Sequence, residues 1–323
     1  MCSSDLRFKL KVQGREVDFR LSIMPSVFGE DAVVRVLDRA RIEQAGGSLT
    51  LDALGFDADE RAAIRHQARQ PHGMLLVTGP TGSGKTTTLY SILNHINSDG
   101  VNIMTLEDPV EYPMTLIRQT SVAEAAKLDF ANGIRALMRQ DPDVILVGEI
   151  RDEDTATMAF RAAMTGHQVY STLHTNSALG AIPRLLDIGI VADILAGNII
   201  GIVAQRLVRK LCRTCRQSYD PDVKERRLLG ISPTEPAALF RSVGCEQCDY
   251  QGFRGRVGIM EILMMDSAID ELVARRATAR EILTAARAKG FKTLAEDGIR
   301  LVRAGATSLD ELMRVADLTD RMA

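Results

Sequence analysis

An eight-residue glycine-rich segment constrains this chain more than any other feature of its sequence. Gly79-Pro80-Thr81-Gly82-Ser83-Gly84-Lys85-Thr86 matches the pattern G-x-x-x-x-G-K-[S/T] in full. In that pattern, backbone N–H groups turn towards a polyphosphate, the lysine reaches the β- and γ-phosphates, and the final hydroxyl ligates Mg²⁺. An apolar strand at 74–78 precedes the loop, and a one-faced apolar helix at 86–97 follows it. Strand, loop and helix predict a nucleotide site that includes the neighbouring Thr87; the alternative is a glycine-rich turn without a ligand.

Length and charge narrow the class of protein. The chain has 323 residues, a net charge of −2 and no tryptophan. The length predicts about two domains, the net charge gives no indication of a nucleic-acid or anionic-membrane partner, and the lack of tryptophan makes a base-stacking surface less expected. The N-terminus does not resemble a signal peptide. The most apolar region, 185–204, contains Asp187, Asp193 and Asn198, so we expect a buried helix there rather than a membrane span.

The periodicity of the chain changes along its length. Residues 8–12 and 16–22 alternate as the two strands of a hairpin with a turn at 13–15, and residues 32–37 form another strand. A hairpin and a strand cannot form a stable domain alone. These strands therefore dock elsewhere, or the chain begins inside a domain. Further strands are expected at 101–106, 144–147 and 169–172, with helices between them. This alternation predicts an α/β fold with a mostly parallel sheet, and residues 267–316 follow as helices.

Two acidic segments follow apolar strands. Four apolar residues, 144–147, lead through Gly148 to Glu149, and ligands of open α/β sheets bind at such strand ends. Glu149 is therefore a candidate to hold Mg²⁺ or to polarise the attacking water. The segment 105–111 carries three acids, of which Glu107 is nearest the strand end and is a candidate to orient the water. The alternative for both segments is a solvated acid at a strand end or turn.

Histidines and arginines complete the candidate site. His167 and His174 flank the strand at 169–172, and His174 is a candidate contact for the γ-phosphate or a neighbouring subunit, although a structural role is equally open. Phosphoryl transfer also needs cations on the leaving charge. The candidate cations, each of which is otherwise a solvated or ion-paired side chain, are Arg20, Arg35, Arg135, Arg139 and Arg151.

Four of the five cysteines form two C-x-x-C pairs, Cys212 with Cys215 and Cys245 with Cys248. Each pair has the spacing that lets two thiolates reach one tetrahedral ion, which predicts Zn²⁺ in a structural role. The long gap between the pairs is tolerable because the cost of loop closure grows slowly with length. Reduced thiols or disulfides are the alternatives.

Four segments together resemble the signature boxes of the secretion ATPases, the hexameric motors of type II secretion and type IV pilus assembly. These segments are the phosphate loop at 79–86, the acidic segment at 105–111, residues 141–152 and residues 165–176. The resemblance covers nearly the whole chain. The tetracysteine segment favours the secretion and pilus-assembly branch, since the pilus-retraction branch usually lacks it.

The resemblance implies roles for individual residues. Lys85 and Thr86 would bind phosphate and Mg²⁺, and Glu107 and Glu149 would be competing candidates for the general base. His167 and His174 would be histidine-box residues. Arg20 and Arg35 would approach the nucleotide from an N-terminal half-domain, and Arg135 and Arg139 match arginines of the motor domain.

The resemblance also implies an architecture, with ATP, Mg²⁺ and Zn²⁺ as cofactors. We expect a RecA-like P-loop NTPase core, a partial N-terminal α+β half-domain, a small zinc module and C-terminal helices. The chain is expected to be N-terminally truncated, and Gln168 departs from the leucine usual in the family. The expected domains are a PAS-like part at 1–40, a linker at 41–50, the ATPase core at 51–207, the zinc module at 208–262 and a helical subdomain at 263–323.

The leading hypothesis is therefore an ATP-hydrolysing motor for type II secretion or type IV pilus assembly. We expect a homo-hexamer in the cytoplasm, peripheral to the inner membrane, which binds the platform protein of the machine there and no nucleic acid. A conjugation-type nucleic-acid motor of the same superfamily is the alternative, and DNA-stimulated ATPase activity would support it. A regulatory nucleotide-binding module is a third hypothesis, against which the intact Lys85, Glu107 and Glu149 argue.

Overall fold

The structure is a computed structural model that describes residues 4–12, 14–37, 49–122 and 128–319. It forms two compact units, Met1–Leu49 and Thr50–Ala323. In the first unit, three antiparallel strands pair in chain order: β1 (Ser4–Val12), β2 (Arg15–Ser26) and β3 (Gly29–Leu37). The alternating segments predicted as strands lie within them, and in the pairing register Arg20 is the partner of Arg35.

A seven-stranded sheet forms the centre of the second unit, in the order β12-β9-β4-β8-β7-β5-β6. Neighbouring strands run parallel except for β12 and β9, which are antiparallel. Its strands are β4 (Gly73–Thr78), β5 (Ile103–Glu107), β6 (Ile117–Ser121), β7 (Val144–Val147), β8 (Gln168–Leu173), β9 (Ile199–Leu211) and β12 (Phe253–Met264). Strands β10 (Gln217–Tyr219) and β11 (Leu239–Arg241) form a separate two-stranded sheet.

Helices connect these strands, and their apolar side chains share one core with the sheet. The mixed α/β fold with a dominantly parallel sheet confirms the predicted fold class. In chain order the helices are α1 (Ala58–Gln67), α2 (Lys85–Ile96), α3 (Phe130–Leu137), α4 (Glu153–Met164), α5 (Ala181–Asp187), α6 (Ala192–Leu195), α7 (Val223–Leu229), α8 (Ser267–Ala274), α9 (Ala279–Arg287), α10 (Leu294–Arg303) and α11 (Leu309–Met313).

The buried helix predicted at 185–204 is wrong. In this region α5 ends at Asp187, the four-residue helix α6 follows, and β9 begins at Ile199. The β-branched residues of the segment Ile199-Ile200-Gly201-Ile202-Val203 favour a strand, and here they fill a position between β4 and β12. Strand β9 also runs through the predicted domain boundary at 207, and β12 joins the same sheet, so the sheet itself continues into the cysteine-containing region.

Among the described residues, no helix combines the length and the apolar character that crossing a membrane requires.

Candidate functional site

The glycine-rich loop connects the buried strand β4 to the N-terminus of α2, at the carboxyl edge of the parallel strands. Gly79, Gly82 and Gly84 have φ angles of 150°, 80° and 91°, a region that residues with a Cβ rarely adopt. These conformations turn the backbone around a concave centre at a helix N-terminus. A loop of this conformation at a helix N-terminus suits an anion, and the binding of a nucleotide there stays a prediction.

Two observations test whether this loop fits a polyphosphate. The Ser83 hydroxyl oxygen is buried and has no hydrogen-bond partner among the described residues, so the loop holds an unsatisfied polar group. A Cβ at Gly79 would lie 2.6 Å from that oxygen and 2.5 Å from the carbonyl oxygen of Gln205, whereas a Cβ at Gly82 would meet no atom within 4 Å. The loop is tightly packed at Gly79 and open at Gly82, which leaves room on one side for a bound phosphate chain.

Lys85 begins α2 and folds back over the loop. Its Nζ donates hydrogen bonds to the carbonyl oxygens of Gly79 (2.8 Å) and Pro80 (3.1 Å). The pKa of Lys85 is lowered, mainly by burial and also by the charge of Arg206. The carboxylate of Glu149 partly offsets this shift. Glu149 is thus the acidic group that interacts electrostatically with Lys85. The Thr86 and Thr87 side chains, next along the helix, are exposed at its N-terminus.

Glu149, just beyond β7, lies at the centre of a charged cluster. The Nε2 atom of His174 is 3.5 Å from one of its carboxylate oxygens, and Arg151 pairs with the other. Arg151 also approaches Asp108 of the acidic segment, with 3.9 Å between nitrogen and oxygen. Segments that follow β5, β7 and β8 therefore converge near the phosphate loop, because the carboxyl ends of parallel strands share one edge of the sheet.

Close backbone packing explains the glycine before Glu149. A Cβ at Gly148 would lie 3.2 Å from the Cα of Glu107, and the Gly148 N–H donates to the carbonyl of Leu106. On the other side, Thr172 donates to the carbonyl of Gly148 over 2.8 Å. The strand ends therefore approach closely, and this holds Glu149 at a defined place on the edge.

Glu107, the other predicted base, is buried and fully engaged. One carboxylate oxygen accepts hydrogen bonds from Thr105 (2.6 Å) and Gln119 (3.3 Å), and the other accepts one from the Tyr90 hydroxyl. The pKa of Glu107 is raised overall, because the effect of burial outweighs that of these three hydrogen-bond donors, which lower it. Its side chain is 4% exposed, so it lies beneath the acidic turn and does not face water. This geometry suits a group that holds the turn in place better than it suits a base.

Several predicted site residues are not brought to this cluster. His167 precedes β8 at the amino edge of the sheet, roughly 17 Å of strand away from the loop, and its Nδ1 lies 2.9 Å from the carbonyl oxygen of Ala162. The structure does not bring His167 to the loop within one chain, and its contact with a nucleotide stays a prediction. Arg135 donates to the side chain of Asn132 on α3 and to the sulfur of Met158 on α4, and Arg139 donates to the carbonyl of Arg135.

Arg20 and Arg35 belong to the first unit, so their role at the nucleotide stays a prediction. Sequence reasoning missed three polar residues of β9 and β12 near the loop: Gln205, Arg206 and Glu261. The only sequence signal for them is a polar side chain inside an otherwise apolar strand.

The four predicted cysteines come together as one cluster, with their sulfur atoms within 4.8 Å of one another. The Cys212–Cys245, Cys215–Cys248 and Cys245–Cys248 sulfur pairs are 3.9, 3.8 and 3.8 Å apart. A tetrahedral zinc ion with Zn–S bonds of about 2.3 Å requires sulfur atoms about 3.8 Å apart, so the cluster fits Zn²⁺.

Hydrogen bonds to the sulfur atoms support thiolates in this cluster. The N–H of Gly244 donates to Cys215, and those of Cys245 and Gly252 donate to Cys248, over 3.2–3.3 Å. Hydrogen bonds, of which that from the N–H of Thr214 has the largest effect, lower the pKa of Cys212 to about 7, whereas burial raises the pKa of Cys245 to about 11. All four cysteines are free of disulfides, which leaves a metal site or reduced thiols.

The parallel α/β sheet and the phosphate loop at its carboxyl edge define the class of P-loop NTPase folds. Within that class, the family described as Type II/IV secretion system protein matches residues 2–314. The chain belongs to this family, and the resemblance read from its sequence is confirmed.

Individual relatives agree with this assignment. Type II secretion system protein E of Pseudomonas aeruginosa is 47% identical over 311 residues, which are 96% of this chain and 61% of that relative. The type IV pilus assembly ATPase TfpB of Acinetobacter baylyi is 42% identical over 318 residues, or 98% of this chain and 54% of the relative. The chain thus spans about three fifths of the length of these curated relatives.

A solved structure has the same fold. The crystal structure of the pilus retraction motor PilT with bound ADP has a TM-score of 0.68 and 28% identity, and the match covers 97% of this chain and 78% of that one.

Proposed function

We propose that this chain is the motor part of an ATPase that powers type II secretion or type IV pilus assembly. The observation that carries the proposal is the phosphate loop with its Lys85, together with the charged cluster of Glu149, His174 and Arg151 at the same edge of the sheet. Relatives named as secretion and pilus-assembly proteins supply the biological setting. In that setting the protein works at the cytoplasmic side of the inner membrane, as a homo-hexamer bound to the machine's platform protein.

The chain's own groups suit ATP hydrolysis. The loop glycines and Lys85 would cradle the β- and γ-phosphates, and the exposed Thr86 hydroxyl would hold Mg²⁺. When bound, Mg²⁺ neutralises charge on the transferred phosphoryl group. Arg151 holds the Glu149 carboxylate from one side and His174 lies on the other, which fixes the orientation of that carboxylate.

We assign the general base to Glu149 rather than Glu107. Glu149 lies at the edge of the sheet with 16% of its side chain exposed, and its partners Arg151 and His174 are themselves exposed, whereas Glu107 is buried and accepts its hydrogen bonds under the turn. A base must reach the attacking water. Glu107 then acts by holding the acidic segment, and with it Asp108, next to Arg151.

Paired substitutions distinguish these two roles. We expect Glu149→Gln to lower kcat by roughly 10²–10⁴-fold while it leaves ADP binding intact. In Glu107→Gln an amide NH₂ replaces one acceptor and faces donors, which should destabilise the protein by about 1–3 kcal/mol. Single-turnover hydrolysis and thermal unfolding measure both effects. If Glu107→Gln melts like the wild type and loses as much kcat as Glu149→Gln, Glu107 is the base instead.

Assembly should control activity. Arg20 and Arg35 lie in the separate N-terminal unit, and an arginine supplied from another element can contribute ~10³–10⁵ in rate. We therefore expect specific activity to rise with protein concentration as hexamers form. Arg20→Ala or Arg35→Ala should lower kcat more than ATP affinity, whereas Lys11→Ala on β1 should change neither.

The measurement is specific activity against concentration, with light scattering for mass. A fully active monomer that is indifferent to both arginine substitutions would contradict the assembly proposal. DNA-stimulated turnover would favour a nucleic-acid motor over the proposed function.

A further inference from the structure

Three buried polar side chains lie between the phosphate loop and the C-terminal helices. Gln205 and Arg206 on β9 are 2% and 9% exposed, and Glu261 on the neighbouring strand β12 is 5% exposed. In the antiparallel register Glu261 pairs with Ala204 and Ile259 pairs with Arg206. Arg206 and Glu261 are therefore diagonal neighbours across the two strands, a separation that long side chains can bridge.

Gln205 supports the phosphate loop directly. Its side-chain oxygen accepts a hydrogen bond of 2.7 Å from the Thr88 hydroxyl on α2. Its carbonyl oxygen lies so close to Gly79 that a Cβ there would be only 2.5 Å away. The backbone of β9 at this position thus forms the rear wall of the loop, and the next residue, Arg206, starts from that wall.

Arg206 reaches from the wall to the segment after β8, residues 174–180, which we call the β8 loop. Its Nη2 donates to both the carbonyl oxygen (3.2 Å) and the side-chain oxygen (3.0 Å) of Asn176. The pKa of Arg206 is lowered by burial, and the opposite charge of Glu261 partly offsets this effect. Glu261 is therefore the buried acidic group that stabilises the charge of Arg206. The same β8 loop carries His174, which lies beside Glu149.

Glu261 joins the β8 loop to the C-terminal helices. One of its carboxylate oxygens accepts the N–H of Ala178 over 2.6 Å, and the other accepts the N–H of Leu294, the first residue of α10, over 3.0 Å. A second bond fixes α10 to the same strand, because Asp297 accepts the N–H of Met260 over 3.0 Å. A movement of α10 against the sheet therefore changes the distance between the two partners of Glu261.

These contacts form one continuous path of hydrogen bonds and charge: α10, Glu261, the β8 loop with Arg206, then His174 and Glu149. Buried polar groups must keep their partners, so the two ends of this path cannot move independently at low cost. We propose that Arg206 and Glu261 are positioning residues that couple the C-terminal helices to the catalytic edge. The proposal rests on the proposed ATPase function and adds to it the route by which the nucleotide state reaches α10.

Glu261→Gln tests the path with little change of shape. A glutamine has one acceptor oxygen, so its amide NH₂ must face one of the two N–H groups. We expect kcat to fall roughly 2- to 30-fold, with the KM for ATP nearly unchanged, because the phosphate loop itself is unchanged. Arg206→Lys keeps the charge but loses the two-pronged contact with Asn176, and the double variant should lose less than the product of the two single losses.

Glu311→Gln is the matched control. Glu311 is also buried and also accepts a backbone N–H and a guanidinium, both from Arg209, at 3.1 and 2.6 Å. It joins α11 to β9 without contacting the β8 loop. We expect Glu311→Gln to lower the melting temperature as Glu261→Gln does, while leaving kcat near the wild-type value.

Hydrogen exchange gives a readout that does not depend on turnover. ADP binding should slow amide exchange in 294–303 of the wild type and of Glu311→Gln, but not of Glu261→Gln. If Glu261→Gln keeps both the wild-type kcat and the ADP-induced protection of α10, the coupling proposal is overturned while the ATPase function stands. If the wild-type protein neither binds nor hydrolyses ATP, the proposed function fails, and the coupling proposal fails with it.

Discussion

Lys85→Ala is expected to abolish ATP turnover and leave the fold intact. Lys85 is the cation of the phosphate loop, held by two loop carbonyls and facing Glu149. An alanine removes the charge that would meet the β- and γ-phosphates in a partly buried site, where such charges have their largest effect. Removing one such group typically costs roughly 10²–10³-fold in kcat, and the loss of nucleotide affinity adds to this.

Phosphate release and the binding of a fluorescent ADP analogue measure the two effects of Lys85→Ala separately. Lys210→Ala is a suitable control, since Lys210 is an exposed lysine on β9. The two variants should melt within a few degrees of each other. Hydrolysis near the wild-type rate in Lys85→Ala would remove the loop from the reaction and leave the glycine-rich turn without a ligand.

The second large effect is expected from the loss of metal at the cysteine cluster. Protein purified under reducing conditions should contain about one zinc per chain, because the four sulfur atoms already have tetrahedral spacing. Binding free energies of structural zinc reach about 10–16 kcal/mol in isolated zinc-finger peptides. Cys212→Ser or a chelator should therefore unfold the region 212–252 well before the rest of the chain.

The cysteine experiment has an internal control. Cys2→Ser changes the one cysteine outside the two C-x-x-C pairs and should retain zinc and melting temperature. ADP affinity should survive in both cysteine variants if the metal is purely structural. Metal-free protein that melts at the same temperature with and without added zinc would reject the metal site and leave reduced thiols.

The sequence alone was sufficient wherever the chemistry is local along the chain. The phosphate loop needs only its own glycines and lysine, with a strand before it and a helix after it, so residues 79–86 could be located directly. The two C-x-x-C pairs are equally local, since the spacing within each pair brings its two sulfur atoms together through its own turn. Short apolar segments between helical ones likewise predicted strands β4, β7 and β8 close to their observed positions.

The surroundings of each candidate side chain in the folded protein could not be predicted from these local patterns. Glu107 and Glu149 both end apolar strands, but only the packing of Tyr90 and Gln119 against Glu107 shows that its carboxylate is engaged. His167 lies in the same predicted segment as His174, yet the two are at opposite edges of the sheet because β8 runs between them. The β-branched segment beginning at Ile199 became a strand because the sheet offered it neighbours on both sides.

By itself, then, the sequence determined the phosphate loop, the cysteine cluster and the family, because each depends on residue types at short, fixed spacings. Tertiary structure decided which of the candidate groups meet. Glu261 lies 83 positions from Ala178, and Gln205 lies 117 positions from Thr88. Such contacts depend on strand order and register in the folded sheet, and they cannot be predicted from hydrophobic periodicity along the chain.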